Sequence, residues 1–151
     1  MSARHPIVAA RPLEDSLRRG LVLIAALLTI LGALHEGDHL LCGAQFSVPA
    51  FPLSFLIFPI LLGGFVYASR GKLAAGCWLF VAIVGFVAAA PTHLGPAAVE
   101  PLPIVYGYYV AGAYNSPIMG AVAIVILLGL LGSVLLLAAV AIYARLRVGH
   151  W

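Results

Sequence analysis

The chain has 151 residues and a formal net charge of +3; 64% of its residues are hydrophobic and 9% are charged. Soluble domains carry about 25% charged residues, so this composition excludes a water-soluble globular protein and indicates an integral membrane protein. The basic residues flank apolar runs and form no patch, so nucleic acid is not an expected partner. The length suits a single membrane domain over residues 1–151, with room for about three to five spans.

Four apolar runs predict four transmembrane helices. In chain order they cover residues 20–41, 52–69, 72–90 and 118–144. Each run has about 18 to 27 residues, a length that suits a bilayer. The predicted fold is therefore an all-α membrane protein, a four-transmembrane-helix bundle, in which the third span ends before Pro91.

The basic residues predict how this bundle is oriented. All eight precede the first span, lie in the turn between the second and third spans, or follow the fourth span. Four spans bring these three regions to one side of the membrane, and basic residues favour the cytoplasmic side. Both termini of this multi-pass protein are therefore expected inside, with the protein in the plasma membrane. The outer face then carries three acids, Glu36, Asp38 and Glu100, and neither Lys nor Arg.

A long Pro/Tyr-rich outer loop is predicted between spans three and four, over residues 91–117. It holds five of the ten prolines of the chain and four of the six tyrosines. A loop of this length is usually functional or disordered, and this one is too apolar for disorder. Its prolines prevent a long helix, and its tyrosines suit the lipid–water interface. The loop is therefore interpreted as a lid over the outer ends of the helices.

A group of polar residues ends the first span, in the stretch ALHEGDHLLCG at residues 33–43. Four of them share one stripe of a helical wheel: His35, Asp38, His39 and Cys42. Two histidines at positions i and i+4 form a metal chelate, because both imidazoles reach one point over a single turn. Ionisable groups near a membrane also tend to face the bundle interior. The stripe is therefore a candidate metal site.

A third ligand is expected from another span. The four-span topology brings His93, at the outer end of span three, to the level of His35 and His39. Three protein ligands with an open fourth position are typical of a catalytic zinc site. The predicted ligands of a zinc or copper ion are therefore His35, His39, His93 and Asp38, with Cys42 and Glu100 as additional ligands. If the site is catalytic, Glu36 is the candidate base for a metal-bound water, and the protein is a metal-dependent hydrolase.

The letters HEGDH at residues 35–39 match H-E-x-x-H and resemble the motif of the zincin metalloproteases, which implies both histidines on zinc and Glu36 as general base. Intramembrane metalloproteases of the site-2 type carry a similar motif in a transmembrane helix. Those proteases take an aspartate from a later span, and predicted spans two to four contain neither Asp nor Glu. Their active site also opens toward the cytoplasm, whereas this cluster is predicted outside. The resemblance covers five residues and indicates a metal site, not a protease.

Two other functions remain open. A b-type haem or electron-transfer subunit would use an axial histidine from each of two facing helices, here His35 or His39 opposite His93. Against haem, His93 follows Pro91 and is expected past the end of its helix. A non-catalytic accessory or assembly subunit, in a homo-oligomer or a larger membrane complex, would use the cluster to bind a partner or buffer protons. The lipid bilayer is an expected partner in every case.

Overall fold

The computed structural model of the chain describes residues 7–42, 55–98, 100–111 and 115–148, and it describes the side chains of the first helix from 12 to 39. The described residues form five α-helices and no strand, as an all-α fold requires. In chain order the helices are α1 (Ile7–Cys42), α2 (Ile57–Ser69), α3 (Ala75–His93), α4 (Leu102–Val110) and α5 (Pro117–Val148).

Three of these helices contain segments long and apolar enough to cross a membrane: Pro12–His39, Ala75–His93 and Pro117–Val148. Their mean hydropathies are 1.9, 1.9 and 2.9, in agreement with the expectation of a membrane protein. These segments correspond to predicted spans one, three and four. The second predicted span, 52–69, corresponds to α2, whose 13 residues extend about 20 Å. Residues 52–54 of that span lie outside the described residues.

Helix α1 begins well before the apolar run that predicted it. Its polar first part is supported by an ion pair one turn apart, with Nη2 of Arg18 3.2 Å from Oδ1 of Asp15. Exposed pairs of this kind contribute only about 0.2–0.5 kcal/mol. Arg18 also donates through Nη1 to the main-chain carbonyl of Ala68, at 3.3 Å. This bond joins the basic end of α1 to the C-terminal end of α2, next to the turn that holds Arg70 and Lys72.

Helix α3 continues through Pro91 and ends at His93, so the prediction that the third span stops before Pro91 is wrong. A proline in a helix lacks the N–H for one main-chain bond, but it does not prevent the following residues from bonding. The main-chain N–H of Leu94 donates to the carbonyl of Ala90 at 2.8 Å. The hydroxyl of Thr92 donates to the carbonyl of Ala88 at 3.1 Å. These bonds keep His93 on the helix, where its imidazole has a fixed direction.

The main core lies between the three long apolar helices, α1, α3 and α5, and α2. Its centre is Trp78 of α3, which is fully buried and packs edge-on against Phe65 with ring centroids 5.4 Å apart. Gly64 of α2 allows this approach, because a Cβ at that position would lie 2.5 Å from the indole ring of Trp78. Helix α5 packs against α1, α3 and α4. It is therefore the element on which three of the other four helices pack, while α2 packs on α1 and α3.

The predicted outer loop contains the short helix α4. Pro101 is its N-cap and Pro103 lies in its first turn, where the missing N–H of a proline costs nothing because that group has no helical partner. Helix α4 packs on α5 through a second buried cluster: Val105, Tyr109, Ala123, Leu127 and Leu131. Close contact also occurs at Gly120 of α5, where a Cβ would lie 2.7 Å from the ring of Tyr106. The connection from α3 to α5 is thus held against α5 at α4.

Candidate metal centre

Two imidazoles meet on one face of α1. His35 and His39 are four residues apart, so the turn of the helix places one above the other. Their Nε2 atoms are 3.2 Å apart, and their ring centroids are 4.6 Å apart with an interplanar angle of 79°. A nitrogen–nitrogen contact of this length requires either a proton on one nitrogen, which then donates to the other, or a cation that both nitrogens bind.

The third imidazole comes from the end of α3. The ring of His93 lies 5.1 Å from that of His35 and 6.5 Å from that of His39, measured between centroids. One candidate ligand nitrogen from each of the three residues lies within 4.8 Å of the other two. The His35, His39 and His93 group, called here the histidine cluster, can therefore hold a metal ion.

The orientation of His93 is set by the main chain of Glu100. Nδ1 of His93 lies 2.9 Å from the carbonyl oxygen of Glu100. A carbonyl can only accept, so Nδ1 carries the proton and donates it. The N–H of Glu100 in turn donates to the carbonyl of Thr92 at 2.8 Å. The second nitrogen of His93, Nε2, is left with a lone pair, which is the arrangement that metal-binding histidines adopt in proteins.

The side chain of Glu100 lies beside the histidine cluster. Glu100 is 4% exposed, and its Oε2 is 3.9 Å from Nε2 of His39. Within the described part of the chain, this Oε2 is buried and has no hydrogen-bond partner. Burial raises the pKa of the Glu100 carboxyl above its ordinary value, and the neighbouring His93 opposes part of that increase. A cation bound beside this carboxyl would oppose the effect of burial and stabilise its charged form.

A small cavity adjoins the histidine cluster between α1, the Glu100 segment and α4. Its walls are formed by His35, Asp38, His39, Glu100, Val105, Tyr108 and Tyr109. Asp38, a predicted ligand, thus faces the same space as the two histidines of α1. Glu36, the predicted base, does not line this cavity. The side chain of Cys42, named as an additional ligand, lies outside the described residues.

The spacing of the cluster can be compared with the demands of one ion. Zinc–nitrogen bonds of about 2.0–2.1 Å in tetrahedral geometry separate two ligand nitrogens by about 3.3 Å. The 3.2 Å between the Nε2 atoms of His35 and His39 already meets this requirement. The wider separations, up to 4.8 Å, would have to shorten by about 1.5 Å to reach that value. The arrangement is chemically suited to binding one cation between α1 and α3.

Two contributions to this site are not evident from the sequence. The carbonyl of Glu100 is a main-chain group, which no residue type reveals. Tyr109, expected at the lipid–water interface with the other tyrosines of the loop, is only 3% exposed and forms part of the cavity wall. The sequence does contain one sign of the helix that places Tyr109, because Pro101 and Pro103 stand at positions typical of a helix start.

No protein family, no curated protein and no solved structure matches the chain.

Proposed function

We propose that this chain is a multi-pass integral membrane protein that binds one zinc or copper ion through His35, His39 and His93. The observation that carries the proposal is the convergence of three imidazole nitrogens within 4.8 Å. Ionisable groups at the edge of a membrane are costly and usually functional. Imidazole ligands suit zinc and copper, whereas magnesium and calcium prefer oxygen. The bond from His93 to the carbonyl of Glu100 supports the proposal, because it leaves a free ligand nitrogen.

The proposed ion lies at the outer end of a four-helix bundle in the plasma membrane. Both termini of the chain are then in the cytoplasm. Arg18 bonds the carbonyl of Ala68, near Arg70 and Lys72, so the basic ends of α1 and α2 meet. Along α1, the rise from Arg18 to His35 is about 25 Å, close to the hydrocarbon thickness of about 30 Å. Because basic residues favour the cytoplasmic side, the opposite end with the histidine cluster faces outward.

Metal analysis of the detergent-purified protein tests this proposal. The protein should be prepared with an affinity tag that lacks histidine, and its zinc and copper content measured by mass spectrometry. One ion per chain is expected in the wild type and none in the double variant His35→Ala, His39→Ala. His5→Ala is the matched control, since it removes an imidazole remote from the cluster in sequence, and it should keep the ion. Absence of stoichiometric metal in the wild type, or retention in the double variant, contradicts the proposal.

Metal binding is better supported than the other functions predicted from the sequence. Hydrolysis would need, in addition, a water in the fourth coordination position and a base, whereas binding needs only the convergence of the three imidazoles. A haem would be detected by a Soret band in the absorption spectrum of the same preparation. A role in a homo-oligomer or a larger membrane complex stays a prediction, to be tested by the partners that co-purify.

A further inference from the structure

We infer that the carboxylate of Glu100 is the fourth ligand of this ion and closes the coordination sphere to water. The inference rests on the proposed three-histidine site. The fourth coordination position determines what the metal centre can do. A water molecule there could be activated, whereas a protein ligand there encloses the ion within the protein. The group concerned lies outside α1 and α3, on the segment that connects α3 to α4.

The first support is distance. Oε2 of Glu100 lies 3.9 Å from Nε2 of His39. Two ligand atoms on one tetrahedral zinc are about 3.3 Å apart, so the carboxylate is within about 0.6 Å of the required separation. The separation between the Nε2 atoms of His35 and His39 is 3.2 Å. Of the three histidines, His39 therefore has a ligand nitrogen close to the carboxylate. Binding one ion would draw Glu100 toward the rest of the histidine cluster.

The second support is the surroundings of the carboxylate. The Glu100 side chain is 6% exposed, and in the described part of the chain its Oε2 has no hydrogen-bond partner. Buried carboxylates normally have donors or a metal, because an unpaired buried charge is costly. A metal ion at the histidine cluster supplies the partner that Oε2 lacks. A water molecule in the fourth position would leave the carboxylate at the edge of the site without a bond to the ion.

The third support is charge. A divalent ion held by three neutral imidazoles keeps its full charge of about +2. This charge would lie at the end of an apolar bundle, where an uncompensated ion is poorly solvated. A Glu100 carboxylate bonded to the metal offsets half of it. Asp38, on the same cavity wall, contributes further negative charge.

A carboxylate ligand from this segment also joins three parts of the chain. His35 and His39 belong to α1, His93 ends α3, and Glu100 precedes α4. The main-chain carbonyl of Glu100 orients His93 while its side chain bonds the ion. One residue would thus act on the ion twice, through a ligand atom and through the orientation of another ligand.

Metal affinity of the Glu100→Gln variant tests the inference, with zinc as the probe. Glutamine keeps the main-chain carbonyl and the side-chain size, so only the carboxylate is lost. Even partners of metal ligands change affinity by about 10- to 100-fold, so a loss of about tenfold or more is expected. Glu14→Gln, the same exchange at the other end of α1, is the matched control and should bind as the wild type does. Each variant is first compared with the wild type by thermal unfolding without metal.

Infrared difference spectra of the wild type provide a readout that needs no variant. Zinc addition should change a carboxylate band, and glutamate labelled with ¹³C should shift that band. A labelled band present in the wild type and lost in Glu100→Gln supports the inference. Unchanged affinity in Glu100→Gln, a zinc-insensitive carboxylate region, or a greater loss in Asp38→Asn overturns it while three-histidine binding stands. If the wild type binds no zinc, the proposed function itself fails.

Discussion

At the scale of single residues, the close approach of Gly64 and Trp78 limits what position 64 can hold. The indole ring occupies the place where a Cβ would lie, with a separation of 2.5 Å. The ring is large, rigid and fully buried between helices. The clash therefore cannot be relieved by rotating a flexible side chain.

Gly64→Ala is expected to destabilise the protein by about 1–3 kcal/mol, the usual cost of overpacking a core. The measurement is thermal or detergent-induced unfolding of the purified protein. Gly63→Ala is the matched control, because a Cβ at that neighbouring position meets nothing within 4 Å. Replacing a helical glycine there should instead stabilise by up to about 1 kcal/mol. Equal effects of the two substitutions would contradict the assigned contact.

The histidine cluster was predictable at this scale only in part. The spacing of His35 and His39 sets their common face, since a helix repeats every 3.6 residues. The level of His93 follows from its position at the end of a predicted span, on the same predicted side as His35 and His39. The role of the Glu100 carbonyl cannot be predicted from the sequence, because every residue type has the same main-chain carbonyl. Nor can the continuation of α3 past Pro91, which depends on bonds made by its neighbours.

At the scale of helices, α4 holds its place through its contact with α5. Tyr106 packs on Gly120, with a separation of 2.7 Å between its ring and a Cβ built there. Helix α4 contributes three residues to the wall of the cavity beside the histidine cluster: Val105, Tyr108 and Tyr109. It follows Glu100 directly, so a displacement of α4 is expected to move Glu100 as well.

Gly120→Ala should therefore weaken zinc binding by about tenfold, although residue 120 contacts no candidate ligand. Overpacking costs about 1–3 kcal/mol, and we expect part of this cost to be relieved by a displacement of α4. A change of about 1.4 kcal/mol in binding free energy corresponds to a tenfold change in affinity. Competition with a zinc-binding dye measures the effect. Gly132→Ala, on the same helix with open space at its Cβ, should bind zinc as the wild type does. A normal affinity in Gly120→Ala would mean that α4 does not position the site.

Long helices were easier to predict than short ones. The apolar runs of α1, α3 and α5 are each long enough to identify a membrane-spanning helix. The polar beginning of α1 has no apolar periodicity and was not predicted. Helix α4 was missed because its nine residues are apolar all round and so show no helical periodicity. Its stability comes from packing on α5, which sequence pattern alone does not reveal.

At the scale of the whole molecule, a bound ion connects α1 to α3 and so should stabilise the fold. A ligand that binds only the folded state adds about 2.7 kcal/mol when it is present at about a hundred times its dissociation constant. Removing zinc with a chelator should therefore lower the unfolding temperature of the wild type. The temperature should return when zinc is restored. His93→Ala, which lacks one ligand, should unfold at the same temperature with and without zinc.

The proposed orientation predicts which surfaces a membrane-impermeant thiol reagent reaches on intact cells. In a variant with Cys42 and Cys77 replaced by alanine, Leu94→Cys should be labelled, because residue 94 lies beside the outer cluster. Ser69→Cys, in the exposed end of α2 next to the basic turn, should be labelled only after the cells are opened. The reverse pattern would place the histidine cluster on the cytoplasmic side.

The acceptor that orients His93 is a main-chain carbonyl seven positions along the chain, and no amino-acid exchange at residue 100 removes it. What preserves this bond is the length of the intervening segment and the course of its backbone, more than the letters within it. Evolution could therefore replace most side chains between residues 93 and 100 and keep the imidazole in place, whereas a single insertion or deletion would release it. Distant chains that share this centre should be recognisable by the constant interval between a histidine and a glutamate, even where most of the intervening residues differ.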